Sequence, residues 1–165
     1  MILAEGVAII PLEIEGILLN STLVWDEHGA ILIDAGFHGH DQQIVDGMRT
    51  AGVPFERLSD VILTHQDIDH IGGVQDLIKL AAKPLTVYAH ALDQPFIEGT
   101  VPLLKRELPS QLQHMFDLPY QVKVNHTDSL RKLLDYDIGQ IVCYHGGLCT
   151  EDVNGQLRRI VGGST

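Results

Sequence analysis

The chain has 165 residues and sets 22 acidic against 11 basic side chains, a formal net charge of −11. That length is one ordinary domain, 1–165, with room for a real core, and an apolar content of 45% excludes a disordered chain. The negative balance excludes a nucleic-acid or anionic-membrane partner, since both need a basic face.

Residues 1 to 6 carry no basic stretch and no long apolar run. No segment of the chain reaches the ~18 apolar residues of a membrane span, so the expected location is cytoplasmic. Val7 to Ile10 and Ile17 to Trp25 read as β-strands. Asp26-Glu27-His28-Gly29 reads as a turn, and Ala30 to Ile33 as the next strand. Residues 40 to 51 place Ile44, Val45 and Met48 at helical spacing, and Gly52-Val53-Pro54 ends that helix. Val61 to Thr64 has the length and β-branching of a buried strand. After it, Val74, Leu77, Ile78 and Ala81 line one face of a helix. Leu85 to Ala89 reads as a strand ending at His90. Residues 101 to 116 have helical spacing interrupted by Pro102 and Pro109. Residues 127 to 135 read as a helix with Leu130, Leu133 and Leu134 on its face, and Ile141 to Tyr144 as a strand before His145. Strands alternating with helices predict an α/β fold.

The densest chemistry lies at residues 64 to 73, Thr-His-Gln-Asp-Ile-Asp-His-Ile-Gly-Gly. His65, Asp67, Asp69 and His70 fall within six residues, between the end of a strand and the start of a helix. That junction can fan several side chains around one point. Two imidazoles and two carboxylates suit a divalent cation such as zinc, iron or manganese.

This stretch resembles the signature of the metallo-β-lactamase superfamily, His-x-His-x-Asp-His after a strand. Here Asp67 stands where the second His usually does, and extra oxygen ligation favours iron or manganese relative to zinc. Ile31-Leu32-Ile33-Asp34-Ala35-Gly36 is similar to the family's early strand ending in Asp-x-Gly. Cys143-Tyr144-His145-Gly146-Gly147 is similar to its late strand ending in the last metal-binding His. The resemblance implies an αββα sandwich. It also implies metal ligation by His65, Asp67, Asp69, His70 and His145. In the same reading Asp69 orients the water nucleophile and Asp34 supports the ligands from behind. The implied activity is that of a metal-dependent hydrolase, in which metal-activated water attacks a small-molecule lactone, β-lactam, thioester or phosphoester.

Two family ligands have no counterpart here, a third His and a bridging Asp. His114 and His126 stand at no family ligand position, and His90 sits at a strand end where it would lie near the site or behind it. His28, His38 and His40 fall in turns. The proline-bearing stretch after residue 98 has no alternation long enough for the strands the family carries there, so the chain reads as an internally shortened member. A shortened sandwich leaves apolar faces and a sheet edge open. A homodimer, with or without exchanged segments, is the expected repair. The alternative function is a catalytically degenerate scaffold of the same fold that acts through self-association.

Overall fold

Strand β3 (Ile17–Trp25) shows how the sequence builds this molecule: Leu19, Ser21 and Leu23 are buried on one face, while Leu18 and Val24 turn to the other and stay partly open. This period of two predicts a sheet with one fully covered face. The computed structural model describes residues 1–117, 121–127, 141–145 and 147–162. Strands β1 (Ile2–Ala4), β2 (Val7–Ile14), β3, β4 (Ala30–Ile33), β5 (Leu58–Ile62), β6 (Thr86–Ala89) and β7 (His126–Thr127) form one seven-stranded sheet in chain order. The first four run antiparallel, and β4 to β7 run parallel. The β2–β3 hairpin turns at Glu15 and Gly16, both with positive φ (50° and 79°), as a two-residue loop matched to strand twist requires.

Parallel strands need crossover connections, and the helices supply them. Helix α1 (Asp41–Thr50) links β4 to β5. Helices α2 (Ile68–Ile71) and α3 (Val74–Leu80) link β5 to β6, and α4 (Gln94–Ile97) follows β6. The inner sheet residues Leu19, Leu23, Leu32, Val61 and Val87 share one core with Ile44 and Met48 of α1 and Leu77 of α3. Gly47 of α1 lies so close to the Ile10 side chain that a Cβ there would overlap it.

On the opposite face, Thr22, Ile33, Ile62 and Tyr88 stand side by side in register across four strands. Over part of this face lies a second, two-stranded sheet, β8 (Ile141–Cys143) with β9 (Gly147–Cys149). It is tied down by Asn20, whose backbone N–H and side-chain amide both donate to the Tyr144 carbonyl, at 3.1 and 3.0 Å. Helix α5 (Val153–Gly162) follows. The arrangement is the mixed α/β sandwich that the motifs imply, with a second sheet of two strands among the described residues.

Differences from the sequence reading have local causes. The region 101–116 forms a 3₁₀ helix over Ser110–Asp117 only, because prolines have no N–H to continue an α-helix across Pro102 and Pro109. Strand β8 ends at Cys143, and Tyr144 and His145 lie in the turn after it. Ile78, expected on the buried face of α3, is 39% exposed. The helix expected over 127–135 lies outside the described residues except for Thr127, which closes β7. Strand β9 (Gly147–Cys149) and helix α5 (Val153–Gly162) are elements beyond those expected from the sequence. No helix among the described residues is long and apolar enough to cross a membrane.

Candidate metal centre

The site sits beyond the carboxyl ends of the parallel strands β4 and β5, where open α/β sheets place their ligands. Asp34 follows β4 directly and adopts a left-handed backbone, φ 58°, which Asp tolerates better than most residues. Its own N–H continues the sheet by donating to the Ile62 carbonyl at 2.9 Å, and its carbonyl accepts from the buried Ser21 hydroxyl at 2.7 Å. The carboxylate is therefore aimed across to the next strand end. There, Oδ1 accepts from the Thr64 N–H at 2.9 Å, and Oδ2 accepts from the Thr64 hydroxyl at 2.7 Å.

Helix α2 presents the next two residues. It is held against the Asp34 turn by two backbone bonds, Ala35 N–H to the His70 carbonyl (2.8 Å) and Gly73 N–H to the Gly36 carbonyl (3.0 Å). This close approach explains the paired glycines of the motif, because a Cβ on Gly73 would overlap the Ala35 carbonyl oxygen. His70 is buried, and its Nδ1 lies 2.8 Å from Asp34 Oδ2. An ionised carboxylate only accepts, so Nδ1 carries the proton and Nε2 presents a bare lone pair. That Nε2 lies 3.3 Å from Nε2 of His145 and 3.6 Å from Oδ2 of Asp69. His145 Nε2 is 3.1 Å from the same Asp69 oxygen.

These three separations test whether a metal fits. Four donors around zinc at ~2.0–2.1 Å are separated by about 3.3–3.4 Å along the edges of a tetrahedron. The triangle of Asp69, His70 and His145 has edges of 3.1, 3.3 and 3.6 Å, so one ion fits all three at once. Among the described residues it is the one group of three His, Cys, Asp or Glu donors that converges in this way.

The other two residues expected as ligands lie beside this triangle. His65 packs against His70 with ring centroids 3.9 Å apart and the rings tilted by 57°, and its Nδ1 is 3.1 Å from the Thr64 hydroxyl. Asp67 Oδ2 is 3.5 Å from His65 Nε2 and 3.3 Å from the Lys105 ammonium. His90 stands at the end of β6, where its Nδ1 accepts from the Leu92 N–H at 3.2 Å. His114 is exposed on the 3₁₀ helix, and the side chain of His126 is outside the described set. His28 is exposed in its turn, and His38 pairs with Asp76 at 2.6 Å. His40 is buried beneath the Asp34 turn and accepts the Phe37 N–H at 3.1 Å.

Two contributors escaped the sequence reading. Thr64 opens the motif, and its hydroxyl lies between Asp34 and the imidazoles of His65 and His70. Tyr144 donates its phenol to the Asp69 carbonyl at 2.6 Å and lays its ring on His70, centroids 4.0 Å apart. The signal for Tyr144 was its place beside His145. Burial, and then the charges of Asp34 and Asp69, push its phenol well above the usual tyrosine range, so it stays protonated and acts as a donor. A cavity of about 350 Å³ opens in front of the triangle, lined among others by Asn20, Thr22, Ile33, His65 and Val142.

Sheet, strand-end donors and cavity define a mixed α/β protein with a candidate metal site. Residues 17–130 match the model of the metallo-β-lactamase superfamily, and the chain belongs to that family. Its likeness to a probable metallo-hydrolase of Bacillus subtilis (strain 168), YflN, is 31% identity over 74 residues, 45% of this chain and 27% of that protein. Among solved structures, it is similar to a Cronobacter sakazakii metallo-β-lactamase with a HARLDQ motif. That match has 21% identity and a TM-score of 0.59 and covers 78% of this chain and 45% of the other. It is also similar to BJP-1, a subclass B3 metallo-β-lactamase of Bradyrhizobium japonicum, with 19% identity, a TM-score of 0.56 and coverage of 75% and 42%. The chain thus spans less than half the length of these relatives. His145 lies beyond the matched residues, so its place in the site rests on the geometry.

Proposed function

We propose that this chain is a metal-dependent hydrolase that holds its metal through Asp69, His70 and His145. The reading is carried by one observation, the convergence of two imidazoles and one carboxylate at tetrahedral spacing. Two imidazoles and one carboxylate are the donor set of catalytic zinc sites that keep an open position. Iron(II) also takes two imidazoles and one carboxylate, so it is the near-tetrahedral spacing of the triangle, more than its donor types, that suits zinc. When bound, such an ion acidifies water and polarises a carbonyl or phosphoryl oxygen.

The residues around it supply positioning. Asp34 keeps the proton on His70 Nδ1, so that Nε2 stays a ligand. Asp69 lies 3.1 Å from His145 Nε2 with its side chain 13% exposed, and in this reading it orients an attacking water and takes its proton. Thr22, Ile33 and Val142 wall the cavity and restrict it to a small molecule. Lactones, β-lactams, thioesters and phosphoesters all present an electrophilic centre of suitable size.

Metal analysis of protein purified without added metal tests this reading. The expected result is bound zinc, with turnover of a substrate from a lactone and β-lactam panel. Both should be lost in His70→Ala and largely retained in His65→Ala. Metal-free protein that takes up no zinc would overturn it.

A second reading is a scaffold that acts through self-association. It is favoured by the outer sheet face, where Leu18 is 64% and Ile62 36% exposed. In this reading a second copy of the chain covers the part of that face left exposed among the described residues. The two readings are compatible if the active form is a homodimer.

A further inference from the structure

We infer that Asp67 is an anchor for Lys105 rather than a metal ligand, so that each chain holds a single ion, with a lysine ammonium in place of a second. The inference rests on the reading of Asp69, His70 and His145 as the metal site. It starts from what the Asp67 carboxylate already touches. Oδ1 accepts from the Gln66 side-chain amide at 2.7 Å, and Oδ2 faces the Lys105 ammonium at 3.3 Å. Both oxygens therefore have partners, and the nearer charge is a cation supplied by the protein itself.

Gln66 extends the same grip. It is buried, its side-chain oxygen accepts the Leu104 N–H at 3.0 Å, and its own N–H donates to Asp93 at 3.2 Å. Two consecutive residues of the motif, Gln66 and Asp67, thus hold two consecutive residues, Leu104 and Lys105, of a segment with no regular structure. A dication beside Asp67 would have to displace the ammonium or sit against it, and like charges that close repel strongly. His65 and Asp67 offer two donors, 3.5 Å apart. Among the described residues no third His, Cys, Asp or Glu donor joins them. A stable zinc site needs three protein donors or more.

The geometry also explains why the motif carries a carboxylate here. An imidazole at residue 67 would meet Lys105 without compensating its charge. Aspartate turns the position into an ion pair that fastens the segment beside the cavity.

The test uses the full chain, with Zn²⁺ as the probe. Native mass spectrometry and zinc titration are run on wild type, Asp67→Asn, Lys105→Met and His70→Ala. Amide hydrogen exchange at Leu104 is followed in parallel. The expected result is one zinc per wild-type chain. Asp67→Asn and Lys105→Met should keep that ion with an affinity within about fivefold, since neither residue belongs to the triangle. Both should speed exchange at Leu104, whereas His70→Ala should lose the ion and leave Leu104 exchange slow. Two ions per wild-type chain, falling to one in Asp67→Asn, would overturn the inference while leaving the metal site standing. No zinc in the wild type would overturn the metal-site reading and this inference with it. Unchanged exchange at Leu104 in both variants would remove the anchor.

Discussion

His70 Nδ1 and the Asp34 carboxylate are 2.8 Å apart, and both side chains are almost fully buried, at 2% and 1% exposure. The pair joins the end of one strand to the helix that follows the next. It decides which ring nitrogen of His70 faces the cavity. Removing one partner of such a pair leaves the other buried without compensation, so its variants must be read for folding as well as for metal.

Asp34→Asn keeps the shape of that contact and removes the charge. The amide no longer dictates the His70 tautomer, and the imidazole becomes a poorer ligand. Zinc affinity should fall by roughly 10–100-fold while the fold persists. Competition with a chromophoric chelator, alongside circular dichroism, reads both. Unchanged affinity would mean that another group orients His70.

Tyr144 should act through packing more than through its hydroxyl. Tyr144→Phe loses the 2.6 Å bond to the Asp69 carbonyl, a change of about 0.5–1.5 kcal/mol. Tyr144→Ala also loses the ring that lies on His70, so its zinc affinity should fall further than that of the Phe variant. Thermal melts give the first effect and zinc titration the second. Equal behaviour of the two variants would assign the whole role to the hydrogen bond.

His40 should make stability depend on pH on the acid side. Burial holds its imidazole below the ordinary histidine value of 6.5, outweighing the opposing pull of the Glu13 backbone and of the Glu13 and Asp41 charges. Its folded value is depressed, so the unfolded chain binds the proton more readily. Its contribution is complete above 6.5 and is lost as pH falls from there through the folded value. His40→Asn can still accept the Phe37 N–H and should flatten this part of the profile. Melting temperatures of the two proteins, compared at about pH 7.5 and about pH 5.5, check it. A variant that loses as much stability on acidification as the wild type would remove His40 from the account.

Self-association through the outer sheet face should make folding depend on protein concentration. Covering a few hundred Å² of apolar surface at roughly 25 cal/mol per Å² contributes several kcal/mol. The melting temperature should therefore rise with concentration, and Ile62→Lys should abolish that rise. Sedimentation of a stable folded monomer at low micromolar concentration would dispose of the homodimer, with or without exchanged segments.

The early strands and the motif were legible because their signals are local, although the strand before the motif runs Leu58–Ile62 rather than Val61 to Thr64. Alternation along Ile17 to Trp25 and Ala30 to Ile33 reports a sheet with one covered face, and both strands appear with those bounds. The density of ligands from His65 to His70 points to a candidate metal site, since strand, loop and helix succeed one another within a few residues. Chain order alone could not bring His145 to 3.3 Å from His70, 75 residues away, because contacts across that separation leave no periodicity in either segment. The family resemblance proposed that meeting, and the folded chain supplies its geometry. The division of labour between Asp67 and Asp69 lay beyond the sequence altogether. Asp67 caps helix α2 in an extended conformation, while Asp69 lies within its first turn. Two carboxylates only two residues apart therefore leave the backbone in different directions. One meets the imidazoles of the triangle, and the other meets Lys105, on a segment whose position only tertiary packing decides.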